Sequence, residues 1–260
     1  MPSRQDKRSS SMTATSVSVG QRLTKRTATA NDSTILDEVI DMNANEQGIQ
    51  AMQQGEFEQA AKHFNEAIEA NPTDPTGFVN MGTLLQAIND YDRAVIFYDK
   101  AIELDGSFGA AHYAKGALAY ELEQLESAEA SLRQALLSGM DDADLHFMLG
   151  LTYKAMGDFV RAMPRLREAK KQSPEDVEIT FQYGLALAQS EQLEEAVVAL
   201  EETLDLDASH TDARYNLAIA YAFLGDQERT YAELQRVLEM QPDHELARDA
   251  VAKMDALLGN

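Results

Sequence analysis

Five histidines are the first candidates for chemistry in this chain: His63, His112, His146, His210 and His244. Imidazole is the side chain best suited to proton transfer near neutral pH and to binding zinc. His112 and His146 are 34 residues apart, and so are His210 and His244. A zinc site needs bonds of about 2.0–2.1 Å converging on one ion. Side chains at equivalent places on successive packed helices start about 8–10 Å apart. Neither pair has an evident third ligand, so the spacing predicts no metal site.

Carboxylates are the second candidates. Glu194-Glu195 and Glu201-Glu202 are pairs of the type that shares acid and base work. They fall on polar helix faces, where solvated charge is the ordinary role. The sequence contains no GxGxxG, no Walker-type GKT or GKS and no GxSxG, so the usual phosphate cradles and nucleophile elbow are missing. It has no cysteine either, which excludes disulfides, thiol nucleophiles and Cys-based metal sites and fits a reducing compartment. The expectation is a protein without catalytic residues, metal or cofactor.

The interval that separates the histidines governs most of the chain. Gly48, Gly82, Gly116, Gly150, Gly184 and Ala218 follow one another every 34 residues. Ala60, Ala94, Ala128, Ala162, Ala196 and Thr230 keep the same step, as do Ala67, Ala101, Ala135, Ala169, Thr203 and Val237. A period of 34 marks an array of helix–turn–helix modules. Small residues are required where helix axes approach to about 8–10 Å. Larger ones fill the holes: Phe64, Tyr98, Leu132, Leu166, Leu200 and Leu234 in one series, and Phe57, Tyr91, Leu125, Phe159 and Leu193 in another, which Gln227 interrupts. One module cannot bury its own faces, so neighbours complete each other's core.

Each module reads alike. Helix A takes positions 1–14, a turn holds Gly55-Glu56, Asn89-Asp90, Gly157-Asp158 or Gly225-Asp226, and helix B takes positions 18–31. Pro72, Pro174 and Pro242 break the chain before the next module. Pro164 is a local conflict, since it falls inside a B helix and should bend it.

These series resemble the tetratricopeptide repeat: small at position 8, Ala at 20, aromatic or Leu at 24, Ala at 27 and Pro at 32. The match spans residues 41–74, 75–108, 109–142, 143–176, 177–210 and 211–244, and the chain is similar to small stand-alone cytosolic repeat proteins of bacteria. It departs at position 4, held by Ala44, Phe78, His112, His146, Thr180 and Arg214. The expected fold is all-α, a right-handed superhelical solenoid of six repeats. Residues 34–244 then form the array, with a helix beginning after Ser33 or Thr34. Residues 245–260 form a capping helix on Leu246, Ala250, Val251, Met254, Leu257 and Leu258. Residues 1–33, rich in Ser and Thr, read as a disordered basic extension. Met42 stands one residue inside the first repeat, so a chain starting there would keep the array.

The resemblance implies a concave groove lined by the A helices at positions 2, 5, 6, 9 and 12. Position 5 reads Asn45, Val79, Tyr113, Phe147, Phe181 and Tyr215, so its last four members form an aromatic row. Position 9 supplies Ile49, Thr83, Leu151, Leu185 and Ile219, and position 12 adds Tyr120 and Lys154. Two readings stand: the rings face a ligand, or they pack sideways between A helices. Asp144, Glu178 and Asp212 form an acidic edge, which either selects a basic ligand or complements the dipoles of first turns. Family members that clamp the acidic tails of Hsp70 and Hsp90 use Lys or Arg at positions 2, 5 and 6. None stands there in this chain, so that clamp is not expected.

Net charge is −22, unevenly placed: residues 1–33 hold six bases and two acids, a net of about +4, leaving −26 on the rest. Such a body repels nucleic acid and anionic membranes. The sequence has no apolar run of about 18 residues, which predicts no membrane span. No secretory signal is visible, and the Arg/Ser/Thr-rich start lacks the amphipathic pattern of a transit peptide. The expectation is a cytoplasmic interaction scaffold binding a peptide or partner protein with apolar anchors and basic flanks. The alternative is a self-assembling structural protein, a homo-oligomer.

Overall fold

The structure, a computed structural model, describes residues 43–258, with side chains to residue 256. The expected extension 1–33, the helix start at Ser33 or Thr34 and the side chains of Leu257 and Leu258 lie outside the described residues. Thirteen helices and no strand occur among the described residues. The A helices are α1 (Ala44–Gln53), α3 (Pro75–Ala87), α5 (Gly109–Glu121), α7 (Ala143–Ala155), α9 (Val177–Gln189) and α11 (Thr211–Phe223). The B helices are α2 (Phe57–Ala70), α4 (Tyr91–Leu104), α6 (Leu125–Leu137), α8 (Phe159–Gln172), α10 (Leu193–Leu206) and α12 (Gln227–Met240), followed by α13 (Glu245–Leu258). Each helix packs chiefly on its sequence neighbours, the signature of an all-α solenoid with a continuous core.

The period is written in the turns as well as in the core. Gly55, Asn89, Glu123, Gly157, Glu191 and Gly225 all have positive φ, between 59° and 80°. Each follows an A helix and closes it with the paired bonds of a Schellman motif. In the first turn Glu56 N–H reaches Ala51 C=O at 2.9 Å and Gly55 N–H reaches Met52 C=O at 3.0 Å. Glu123 and Glu191 take this left-handed geometry without being glycine, which residue type alone did not reveal.

Helix starts are capped by short acceptors. Asn43 and Glu46 form a reciprocal capping box at α1. Asp74, Asp142 and Asp176 cap α3, α7 and α9. In the same column His210 and His244 cap α11 and α13, each Nδ1 accepting a backbone N–H at 3.1 Å.

Side chains of the position-24 series are fully buried, from Phe64 to Leu234. They occupy the space that the glycines leave. A Cβ added at Gly82 would lie 2.5 Å from the Tyr98 ring, and one at Gly150 2.6 Å from Leu166. Where Thr203 and Thr230 replace Ala they stay buried, because each hydroxyl donates to the carbonyl four residues back at 2.8 and 2.7 Å.

Two packing expectations are corrected. Phe57 is 41% exposed while the rest of its series is half-buried, because no module precedes its own among the described residues to pack on it. Leu246 is 61% exposed. The buried stripe of α13 is Ala247 and Val251, one helical turn apart, set against Leu234 and Val237. Pro164 stands inside α8, as expected, on its exposed side.

Candidate partner-binding surface

Successive A helices touch one another along the stack, whereas successive B helices stay farther apart. The A layer is therefore the tighter side of the stack. Positions 2, 5, 9 and 12 lie three or four residues apart and share a helix face. The surface they form comprises Asp144, Phe147, Leu151 and Lys154 on α7, Glu178, Phe181 and Leu185 on α9, and Asp212, Tyr215 and Ile219 on α11.

The aromatic row is not an open row. Tyr113 is 8% exposed and Phe181 7%. Tyr113 packs with Leu132, Leu145 and Leu149, and Phe181 with Val197, Leu200 and Leu217. Phe147 and Tyr215 are half-buried against the neighbouring cores. Position 5 thus lies in the seam between one A helix and the next, and packing between helices describes Tyr113 and Phe181. Burial pushes the Tyr113 hydroxyl well above the ordinary tyrosine range, helped by the charges of Asp144 and Asp142.

What remains accessible is the rest of the face. Ile49 is 43% exposed. Asn45, Val79, Thr83, Tyr120, Leu151, Lys154, Leu185 and Ile219 are half-buried. The three acids of the edge are exposed. Asp144 and Asp212 have no cationic partner among the described residues. Partial desolvation, with Asp142 and Asp176 adding like charge, raises the Asp144 carboxyl above its usual range. Desolvation likewise lowers the Lys154 amine, although Glu178 opposes the shift.

Polar side chains also tie adjacent A helices together. Asn80 donates to Asn45 at 2.9 Å, and Gln86 donates to Glu121 at 2.7 Å. Lys154 donates to Gln182, which donates to Glu178. In the bonds that cross between helices, donor and acceptor stand 28 to 35 residues apart, about one repeat.

The buried histidines hold the scaffold together. His146 Nε2 lies 2.6 Å from Asp141, and its Nδ1 lies 3.3 Å from the Arg165 guanidinium. Both nitrogens are engaged and the ring is 4% exposed, so the pair resembles a catalytic dyad only in composition. His112 Nε2 lies 3.0 Å from the Gly106 carbonyl. No group of three potential metal ligands occurs among the described residues. Among them, no helix is long and apolar enough to cross a membrane.

Comparison with known proteins places this architecture. One tetratricopeptide-repeat profile matches residues 51–118 and 187–254, and a second matches residues 113–176 and 147–202. The structure superposes on that of YrrB, described as "a TPR protein with an unusual peptide-binding site", with a TM-score of 0.68 and 35% identity over 73% of this chain and 98% of the other. It also matches pilF of Pseudomonas aeruginosa, TM-score 0.72, at 15% identity over 81% of this chain and 96% of the other, a likeness of fold. Anaphase-promoting complex subunit 3 of Schizosaccharomyces pombe is 31% identical over 109 residues, 42% of this chain. The matched segment is 16% of that relative's length.

Proposed function

The chain belongs to the tetratricopeptide-repeat family, whose members mediate protein–protein interactions, and on that premise we propose that its A-helix face holds a segment of another protein without transforming it. The segment carries apolar side chains and Lys or Arg flanks. The observation that supports this is the pairing of half-open apolar residues with exposed acids on one layer. Leu151 lies two helical turns from Asp144, Leu185 two from Glu178, and Ile219 two from Asp212. The raised Asp144 carboxyl marks charge that a cation would relieve. The peptide-binding site in the printed description of YrrB makes a peptide the natural class of ligand to test.

In this reading Ile49, Leu151, Leu185 and Ile219 supply apolar area, with Asn45, Val79, Thr83, Tyr120 and the open edges of Phe147 and Tyr215 beside them. Tyr113 and Phe181 hold the A helices in register beneath. Asp144, Glu178 and Asp212 select basic flanks and speed encounter. Lys154, tied to Gln182, sets the far border. The polar network across the A helices keeps the surface rigid, which limits the entropy lost on binding.

Selection of a random peptide library displayed on phage tests the proposal. The intact chain should enrich sequences with apolar anchors beside Lys or Arg. The Asp144→Lys/Asp212→Lys variant should enrich a different set, poor in bases. Failure to enrich any sequence, or enrichment of the same sequences by both proteins with helicity intact, would overturn the reading.

A further inference from the structure

Helix α8 differs from the rest of the molecule in charge. It carries Arg161, Arg165, Arg167, Lys170 and Lys171 against one acid, Glu168, a net of +4. Every other described helix is neutral or negative. Neighbouring α10 holds five acids and no base, a net of −5.

The difference is concentrated in outward-facing columns of the B helices. Position 18 is acidic in Glu58, Asp92, Glu126, Glu194 and Glu228, but α8 has Val160 there. Position 29 is acidic in Glu69, Glu103, Asp205 and Glu239, but α6 has Leu137 and α8 has Lys171. Between them, position 25 is Arg133 in α6 and Arg167 in α8. Val160 is 87% exposed and Leu137 76%. Val160, Pro164, Arg167 and Lys171 make one exposed stripe along α8, about 17 Å long at the rise of a helix.

Some cations of α8 are committed within the molecule. Arg161 bonds Asp158 and Glu129, Arg165 contacts the His146 ring, and Lys170 pairs with Glu202. The outward cations have partners on their own helix or the next one. Arg133 lies 3.7 Å from Glu129, Arg167 donates to the Tyr183 hydroxyl at 3.3 Å, and Lys171 lies 3.1 Å from Glu168. Exposed pairs of this kind hold their members weakly.

We propose that this face of α6 and α8 docks an acidic amphipathic helix of a partner protein, its apolar side chains on Leu137, Val160 and Pro164 and its carboxylates on Arg133, Arg167 and Lys171. Charge complementarity selects the acid, and a straight helical ridge suits another helix. The chain's overall charge of −22 does not prevent this. Exposed charges are screened over about 8 Å at physiological ionic strength, so the local sign prevails over the stripe. The same net charge on every copy opposes a second copy as the occupant. The site belongs to the B layer and stands independently of the A-helix reading.

The full chain would be titrated into a fluorescein-labelled helical peptide bearing Leu at helical spacing between Glu residues, with anisotropy read at low and raised NaCl. The peptide should bind and weaken with salt. Arg133→Glu/Arg167→Glu/Lys171→Glu should weaken it by about tenfold or more. Val160→Asp alone should also weaken it, and Asp144→Lys/Asp212→Lys should leave it in place. Absence of binding overturns the proposal, as does equal binding by both α8 variants with helicity intact. Concentration-dependent sedimentation of the native chain that the triple variant abolishes would assign the face to a second copy and overturn it too.

Discussion

The rings of Phe181 and His210 lie 4.4 Å apart, centroid to centroid, with an angle of 47° between their planes. His210 at the same time accepts the Ala213 N–H at the start of α11. One residue therefore caps a helix and covers a ring of the preceding A helix. Tyr215 and His244 repeat the arrangement one module on, at 4.9 Å.

His210→Ala should lose both roles. A missing cap costs about 1 kcal/mol, and a ring contact about 0.5–1.5 kcal/mol. His210→Asp restores the acceptor used by Asp142 and Asp176 in this column and should recover about 1 kcal/mol of the loss. Urea unfolding of the three proteins checks the order native, Asp, Ala. Equal midpoints for Asp and Ala would show that the Nδ1 bond is idle.

Glu191 holds φ at 61° in a turn where the equivalent residues after α1, α7 and α11 are glycine. An L side chain is strained there by about 1–2 kcal/mol, and glycine is not. Part of that gain is offset by the larger freedom of glycine when unfolded. Glu191→Gly should raise the thermal midpoint, and Gly157→Ala, at φ 76°, should lower it.

The glycines of the small column should differ among themselves. A Cβ at Gly150 meets Leu166 at 2.6 Å, whereas one at Gly184 meets Leu200 at 3.2 Å. Gly150→Ala should cost about 1–3 kcal/mol by overpacking, and Gly184→Ala markedly less. Ala218 already occupies the same slot in α11, fully buried. Denaturant midpoints of the two variants check the contrast.

Two sets of aspartates should respond to pH with opposite signs. The backbone N–H and guanidinium of Arg161 and Arg229 lower the carboxyls of Asp158 and Asp226, and the Arg93 guanidinium lowers that of Asp90. A group whose folded pKa is depressed adds stability above its unfolded pKa and loses it as pH falls through the folded value. Asp144 is shifted upward by desolvation and by Asp142 and Asp176. Its charge therefore opposes folding at neutral pH, and the opposition ends as pH falls through its raised pKa. Asp144→Asn should stabilise at pH 7 and lose that advantage in acid, while weakening a basic ligand. Melts across pH and carboxyl carbon NMR titrations check both signs.

Much of the fold was legible because it is local and repeated. The 34-residue step placed the Gly and Ala columns and the large residues that fill them, since a helix pair can approach closely only at small side chains. The resemblance to the repeat family pointed to the A-helix face, and the recurrence of Asp144, Glu178 and Asp212 every 34 residues drew its acidic edge. The 34-residue step also contained the interrupted acidic columns of α6 and α8, visible once the modules are aligned. Stacking alone decided which position-5 rings stay open. Tyr113 and Phe181 are sealed while Phe147 and Tyr215 are partly exposed, although all four occupy one column. Stacking also set His210 and His244 against the Phe181 and Tyr215 rings and put Leu246 outside the α13 interface. Residue order sets helices and turns through bonds between near neighbours. Exposure depends on the angle and fit between neighbouring modules, which many side chains determine together.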